Sequence, residues 1–222
     1  MITLTSSTIA TNTARASNGF ARGGGLYVSS PATKGTANLH LTNDTIANNT
    51  TSGSQGSNGG GIEANGPQGT IDFCTIYGNT SSQGGGLNLE AKAGDGTATS
   101  VTSKNTLFAN NSASTGPDIA GKVTTEGYNL VQRFDGADFN DPDHRHSTDH
   151  AGSLADLKID AQLRANGGPT STYALLSDSP AINQVPTSAC DVTTDQRGVK
   201  RPQQGSCDIG AFEYSNTWLL GD

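Results

Sequence analysis

The sequence predicts an all-β fold, a parallel β-helix built from stacked coils, and three observations lead to it. Glycine accounts for 29 of the 222 residues, against a usual share of about 7%. Only 32% of the residues are hydrophobic, and the weak helix formers Thr, Asn and Ser occur throughout. Two short motifs also recur in a fixed order along residues 1–130. Such a chain cannot fill a wide core, but it can fold if each repeat needs only a narrow apolar seam.

The first motif, T-[IL]-x-x-N, occurs four times. Its copies begin at Thr8, Thr45, Thr75 and Thr106 and end at Asn12, Asn49, Asn79 and Asn110. Asparagine tolerates the left-handed conformation, and its amide bonds to neighbouring backbone at bends, so the four asparagines predict a stacked column at a turn. The second residues of the motif predict an inward apolar column of Ile9, Ile46, Ile76 and Leu107.

The second motif, G-G-G-[LI], follows each of the first three copies. It runs from Gly23 to Leu26, from Gly59 to Ile62 and from Gly84 to Leu87, and Gly116 to Ile119 is a degraded fourth copy. Because side chains alternate along a strand, aligning the copies predicts two inward columns, Leu26/Ile62/Leu87 and Val28/Ala64/Leu89. The intervening rows are expected to face solvent: Tyr27/Glu63/Asn88 and Ser29/Asn65/Glu90.

A further alternating segment lies between each glycine triplet and the next T-[IL] motif, so each repeat is predicted to hold three short strands. Residues 1–130 then form about four coils, of which the first is incomplete because the sequence opens in the middle of a repeat. We expect this chain to be the C-terminal part of a longer protein, with an upstream segment or partner covering the first coil.

Residues 131–222 follow a different pattern and predict an acidic loop and a C-terminal cap packed on the last coil. Prolines end strand ladders there, and apolar residues are expected to plug the open coil: Leu175, Leu176, Ile182, Ile209 and Phe212. A short helix is predicted from Asp156 to Leu163.

The closing string from Asp195 to Tyr214, DQRGVKRPQQGSCDIGAFEY, resembles the C-terminal module of bacterial surface β-helix proteins of the choice-of-anchor Q group. The upstream repeats are similar to those of polymorphic outer-membrane proteins in the pectate-lyase-like superfamily. The resemblance covers residues 115–214 closely and residues 1–130 loosely. It implies a right-handed parallel β-helix (solenoid) with an irregular C-terminal capping module, in an extracellular or cell-surface bacterial setting, and it implies no catalytic activity.

Charge and hydropathy exclude several classes of partner. The net charge of −7 argues against nucleic acid, since phosphate binding needs a basic face. No apolar run approaches the ~20 residues that span a bilayer, so no membrane span is predicted. Residues 1–5 have neither a basic region nor an apolar stretch, so no signal peptide is predicted.

The cysteines allow one disulfide. Cys190 and Cys207 lie in the loop-rich tail and are a candidate pair, which would imply an oxidising compartment. Cys74 is left over and is expected to be a small buried hydrophobe.

The acidic loop from Phe134 to His150 is the candidate metal site. Its carboxylate and amide oxygens are the ligands that calcium prefers: Asp135, Asp138, Asn140, Asp141 and Asp143. The spacing does not fit an EF-hand. His144, His146 and His150 offer zinc or another transition metal as an alternative, and a solvated surface loop is the third interpretation. No other cofactor is indicated.

We expect the protein to be a non-enzymatic structural or binding module that presents a polar face to glycans or partner proteins. Tyr27, Asn65 and Asn88 are the candidate binding residues. The alternative is a polysaccharide hydrolase or lyase with Glu63 and Glu90 as the catalytic carboxylates. Strand spacing places their backbones roughly 8 Å apart, within the ~6.5–9.5 Å range of inverting glycosidases. Few aromatic side chains accompany them, however, and no general-base histidine lies nearby in the sequence.

Overall fold

The protein, seen in a computed structural model, is all-β with parallel strands. The structure describes residues 1–30, 37–90, 99–139, 146–153 and 155–215. These residues form strands in curled sheets and contain no α-helix, an arrangement compatible with a β-helix. Accordingly, none of the described chain is a helix of the length and apolarity needed to cross a membrane.

The strands are short, and their bounds follow the repeat. In chain order they are β1 (Ile2–Thr5), β2 (Thr8–Ala10), β3 (Thr13–Ala16), β4 (Ala21–Arg22), β5 (Leu26–Ser29), β6 (Asn38–Thr42), β7 (Thr45–Ala47), β8 (Thr50–Gly53), β9 (Ser57–Asn58), β10 (Ile62–Asn65), β11 (Gln68–Asp72), β12 (Thr75–Tyr77), β13 (Leu87–Glu90), β14 (Ser100–Lys104), β15 (Leu107–Ala109), β16 (Ile119–Gly127), β17 (Leu130–Val131), β18 (Ala137–Phe139) and β19 (His150–Ala151).

Equivalent strands of successive coils pair side by side in parallel. The largest sheet runs β1-β6-β11-β14-β16-β13-β10-β5, with β18 beside β16. It is curled because the long strand β16 pairs with β14 through one end and with β13 through the other. A second sheet runs β19-β17-β15-β12-β7-β2, and the pairs β3-β8 and β4-β9 complete the repeat.

The core is the narrow space between the inward columns of these sheets. Ile62 pairs with Leu26 and Leu87, and Ala64 pairs with Val28 and Leu89, as the glycine-motif alignment predicts. Ile46 and Ile76 enter the same cluster from the second sheet. Each fully buried Leu or Ile contributes about 1.5–3 kcal/mol, so a few columns stabilise every coil. In the first coil Ile2, Leu4, Ile9 and Leu26 are only half-buried.

The predicted alignment of the fourth coil is wrong by one residue. Phe108, not Leu107, pairs with Ile76 and points into the core, whereas Leu107 pairs with Thr75 and points outward. The stacked asparagine of this coil is correspondingly Asn111 and not Asn110. Asn110 instead has a φ of 56°. This is the left-handed conformation that the residue before the stacked asparagine also adopts in the other coils, at Thr11, Asn48 and Gly78. The string matched Thr106, Leu107 and Asn110, whereas the structural repeat of this coil lies one residue later, at Leu107, Phe108 and Asn111.

A ladder of buried amides holds the coils together at this bend. Asn79 accepts hydrogen bonds at Oδ1 from the backbone N–H and the side chain of Asn49, both at 3.0 Å. Asn111 accepts the equivalent pair from Asn79, at 2.9 and 3.0 Å. The Asn111 amide donates to the Asp118 carboxylate at 2.8 Å, so the ladder ends on an acid. Each side chain thus satisfies backbone donors that a bend would otherwise leave unpaired.

A second ladder of polar side chains occupies the preceding bend, just before the strands of the second sheet. Ser7 donates its backbone N–H to Asp44, Thr106 donates to Asn129, and Asn129 donates to Asp149. All three acceptors are buried. Coil-to-coil stacking is therefore specified at both ends of the second sheet's strands.

The glycine triplets are required by the close approach of neighbouring coils. Gly59 has a φ of +63°, which glycine adopts without strain. A Cβ atom on Gly60 would lie 2.5 Å from the carbonyl oxygen of Gly85 in the next coil. No side chain fits at that distance, so the triplet permits a sharp bend in the same place in each coil.

The C-terminal segment packs along the side of the coils, which differs from the predicted cap over the last coil. Thr8 in the first coil donates to the carbonyl of Ser171 at 2.6 Å, and Thr45 donates to Gln196 at 2.6 Å. Tyr173, Leu175, Ile209 and Phe212 cover the outward apolar face of the second sheet. Leu176, expected among the plugs, is 46% exposed. The outward face of that sheet carries Tyr77, Leu107 and Leu130, which the tail buries.

Buried ion pairs and a disulfide hold this segment in shape. Arg197 contacts Asp195 at 2.6 Å, and Arg201 contacts Glu213 at 2.9 Å. These four side chains are almost fully buried, and burial is the main reason that the pKa of Glu213 is raised. A disulfide joins Cys190 to Cys207.

The predicted helix from Asp156 to Leu163 is wrong. Lys158 has a φ of 48°, and Ile159 forms an antiparallel bridge with Leu175. Pairing with the returning tail replaces the helix because it buries Leu157 against the second sheet.

We predict that Asn111→Ala destabilises the protein by about 2–4 kcal/mol, because it leaves the buried N–H and amide of Asn79 without acceptors. Asn110→Gly, at the neighbouring left-handed position, is expected to change stability by less than about 1 kcal/mol. Chemical denaturation of both variants measures the difference. Equal losses, or a larger loss for Asn110→Gly, would contradict the observed register.

We predict that the double substitution Cys190→Ala and Cys207→Ala lowers the free energy of unfolding by about 3 kcal/mol, the value for a loop of this length. A thiol reductant should shift the melting temperature of the wild-type protein and leave that of the double variant unchanged. A reductant-sensitive melt in the double variant would show that the bond is not the cause.

Candidate functional site

The candidate site lies at the bend formed by the glycine triplets, which we call the glycine corner. It comprises Arg22, Asn58, Tyr27, Glu63, Asn88 and Glu90. Arg22 and Asn58 directly precede two triplets and pair with each other across β4 and β9. Tyr27, Glu63 and Asn88 follow the triplets and pair across β5, β10 and β13.

The bend is concave toward the outside of the coils. A Cβ atom added to Gly23 would lie 2.6 Å from the Cβ of Tyr27, and one on Gly84 would lie 2.5 Å from the Cβ of Asn88. The outward sides of the segments before and after each triplet therefore face each other. Side chains that the alternation rule assigns to solvent meet instead inside this angle.

Contacts across the angle join the two walls. Asn58 donates to Glu90 Oε1 at 2.6 Å, and Asn88 donates to Glu63 Oε2 at 2.8 Å. An Arg22 guanidinium nitrogen lies 3.5 Å from Glu90 Oε2 and 3.8 Å from Glu63 Oε1. Two carboxyl groups thus share one guanidinium, and each also accepts a hydrogen bond from one amide.

The prediction that the rows Tyr27/Glu63/Asn88 and Ser29/Asn65/Glu90 face solvent is largely wrong. Glu63 and Asn88 are completely buried, and Asn65 is 5% exposed. The Glu90 side chain is 28% exposed, and Tyr27 alone of the row Tyr27/Glu63/Asn88 is open, at 46%. The period of two placed these residues outward correctly, but it carries no information about whether the outer surface is flat or concave.

Burial dominates the electrostatics of Glu63. It raises the pKa of this carboxyl to about 7, and the negative charge of Glu90 acts in the same direction. The hydrogen bond from Asn88 and the positive charge of Arg22 oppose the shift less strongly. Near neutral pH Glu63 is therefore divided between its acid and carboxylate forms, a state typical of functional carboxyl groups.

Two oxygens at the corner are buried without a hydrogen-bond donor. They are Glu63 Oε1 and Asn88 Oδ1. The Arg22 nitrogen is too far from Glu63 Oε1 for a hydrogen bond at 3.8 Å. Since an unpaired buried acceptor costs about 1–3 kcal/mol, the corner is rich in acceptors and short of donors.

Two features of the site were missed by the sequence analysis, although a signal existed. Arg22, Asn58 and Gln83 all stand immediately before a glycine triplet, so a polar residue recurs at a fixed offset from the bend. Phe20 lies two residues before Arg22 and is 54% exposed. With Tyr27, it is one of two exposed aromatic rings in the described residues.

The acidic loop is only partly described. Asp135 pairs with Arg133 at 3.1 Å, and Asp138 lies in β18. Asn140, Asp141, Asp143 and His144 lie outside the described residues, so the calcium and zinc sites remain predictions. In the parts of the loop that the structure includes, His146 contacts Thr148, and Asp149 belongs to the second ladder. No group of three or more metal-binding side chains occurs among the described residues.

We predict that Glu63→Gln removes a pH-dependent loss of stability. The folded-state pKa lies above the ordinary value of 4.5, so folding favours the protonated form, and stability falls as pH rises from about 4.5 to about 7. The contribution is on the order of 3 kcal/mol. Glu63→Gln should match the wild type at pH 4.5 and exceed it at pH 8 in urea denaturation. Glu126→Gln, at an exposed carboxyl, is the control, and parallel stability curves for all three proteins would contradict the shift.

Comparisons of the chain with protein-family models, with curated proteins and with solved structures give no match.

Proposed function

We propose that this protein is an extracellular or cell-surface binding module that binds glycans at the glycine corner. In this proposal the parallel coils form a right-handed β-helix, and the tail is a choice-of-anchor Q type module related to the pectate-lyase-like superfamily. The setting is bacterial, and a disulfide in the tail is consistent with an oxidising compartment.

One observation carries the proposal. The exposed aromatic rings of Phe20 and Tyr27 stand on either side of Arg22 in the sequence, and Arg22 contacts the carboxyl groups at the corner. Sugars present apolar ring faces together with hydroxyl groups that both donate and accept hydrogen bonds. An open aromatic ring next to amides, carboxyls and a guanidinium offers a partner for each of these features.

The alternative of a polysaccharide hydrolase has weaker support. The Glu63 and Glu90 carboxyls already contact Asn88, Asn58 and Arg22. The Glu63 side chain is also completely buried, so a glycosidic bond cannot reach it in this conformation. These contacts and this burial favour binding over bond cleavage.

We predict that Tyr27→Ala weakens binding to any glycan that a glycan array identifies by at least tenfold, because the stacking surface is lost. Leu176→Ala, a substitution of an equally exposed residue in the tail, should change the affinity by less than twofold. Isothermal titration calorimetry measures both. A silent array, or equal losses in the two variants, would contradict glycan binding at the corner.

The same samples separate binding from catalysis. We expect no new reducing ends and no unsaturated products after incubation with neutral and acidic polysaccharides. Turnover that is lost in Glu63→Gln would instead establish the hydrolase or lyase.

A further inference from the structure

We propose that the glycine corner selects a glycan with a free amino group, whose ammonium binds between Glu63 and Glu90. This inference rests on the proposed glycan-binding function and specifies its ligand. The ligand class is an amino sugar oligosaccharide with unmodified amines, such as oligomers of glucosamine.

The charge balance at the corner is the first reason. Among the described residues, the charged groups that contact one another there are Arg22 from β4, Glu63 from β10 and Glu90 from β13. Two carboxyls thus face a single guanidinium. When both are ionised, one negative charge is uncompensated next to the fully buried Glu63 side chain, and a ligand cation would compensate it.

The hydrogen-bonding deficit is the second reason. Glu63 Oε1 and Asn88 Oδ1 are buried acceptors without donors. An ammonium group carries three N–H donors and no acceptor, so it supplies what the corner lacks. A neutral N-acetyl group has one N–H donor and adds a carbonyl acceptor, which fits the site less well.

Arg22 occupies the position through which such a ligand would enter. Its side chain is 35% exposed, and its contacts with the two carboxyls are long, at 3.5 and 3.8 Å. It therefore neutralises the pair partially without donating to Glu63 Oε1. An ammonium is a compact charge that carries its three donors on one atom, and displacing Arg22 toward solvent opens Glu63.

A proton is the competing occupant of the same position. Burial and the neighbouring Glu90 raise the pKa of Glu63 to about 7, so at pH 6 the free protein holds a proton on this carboxyl. Binding of the ammonium requires the carboxylate form, and the proton must leave as the ligand binds. Proton release is therefore a signature that a merely structural role for Glu63 would not produce.

The experiment compares tetramers of glucosamine and of N-acetylglucosamine by calorimetry at pH 6 and 0.15 M salt. We expect the amino tetramer to bind the wild-type protein at least tenfold more tightly. Repeating the titration in two buffers of different ionisation enthalpy should show proton release on binding. Glu63→Gln should abolish both the preference and the proton release. Glu126→Gln removes the same charge from an exposed site and should retain both.

Tetralysine controls for general attraction to an acidic protein, and calcium chloride alone controls for a metal site. Equal affinity for the two tetramers, or tetralysine binding that matches the amino tetramer, would overturn the inference and leave glycan binding intact. Heat from calcium that disappears in Glu63→Gln would overturn it in favour of a metal. A glycan array that is silent throughout would overturn the proposed function and the inference together.

Discussion

The structure depends on one requirement: the bends of successive coils must lie directly above one another, because side chains at a bend satisfy the backbone of the adjacent coil. Asn79 shows this most clearly: it accepts two hydrogen bonds from Asn49 in one neighbouring coil, and it donates its backbone N–H and its side-chain amide to Asn111 in the other. A coil displaced by one residue would leave these donors and acceptors unpaired in a dry interior. The stacking is therefore specified by polar groups, while apolar columns supply most of the stabilisation.

The same requirement produces the glycine corner. Because coils approach so closely at the triplets, no side chain fits there, and the chain bends back on its outer side. That concave bend brings Arg22 and Asn58 against Glu63 and Glu90. The concave bend buries the Glu63 side chain, and this burial raises the pKa of its carboxyl. The corner keeps acceptors that the fold itself does not satisfy, which is the property expected of a site that receives a ligand.

The C-terminal segment buries an apolar face of the coils. The outward face of the second sheet carries Tyr77, Leu107 and Leu130, too apolar a surface to remain in water. The C-terminal segment covers this face from the first coil onward, and its own charges are buried as ion pairs, such as Arg201 with Glu213.

The sequence by itself determined the repeat, the inward columns and the places where glycine is needed. These are set by spacing along the chain, so Ile62, Leu87 and Ala64 were placed correctly from period and alignment alone. Three matters were decided by the tertiary structure. The burial of Glu63 depends on a concave bend. The inward position of Phe108 and the stacking of Asn111 depend on the register that satisfies the asparagine ladder. The position of the tail depends on long-range contacts such as that of Thr8 with Ser171, 163 residues apart. Local patterns record which side of a strand a residue occupies, whereas only the folded chain determines what lies opposite it.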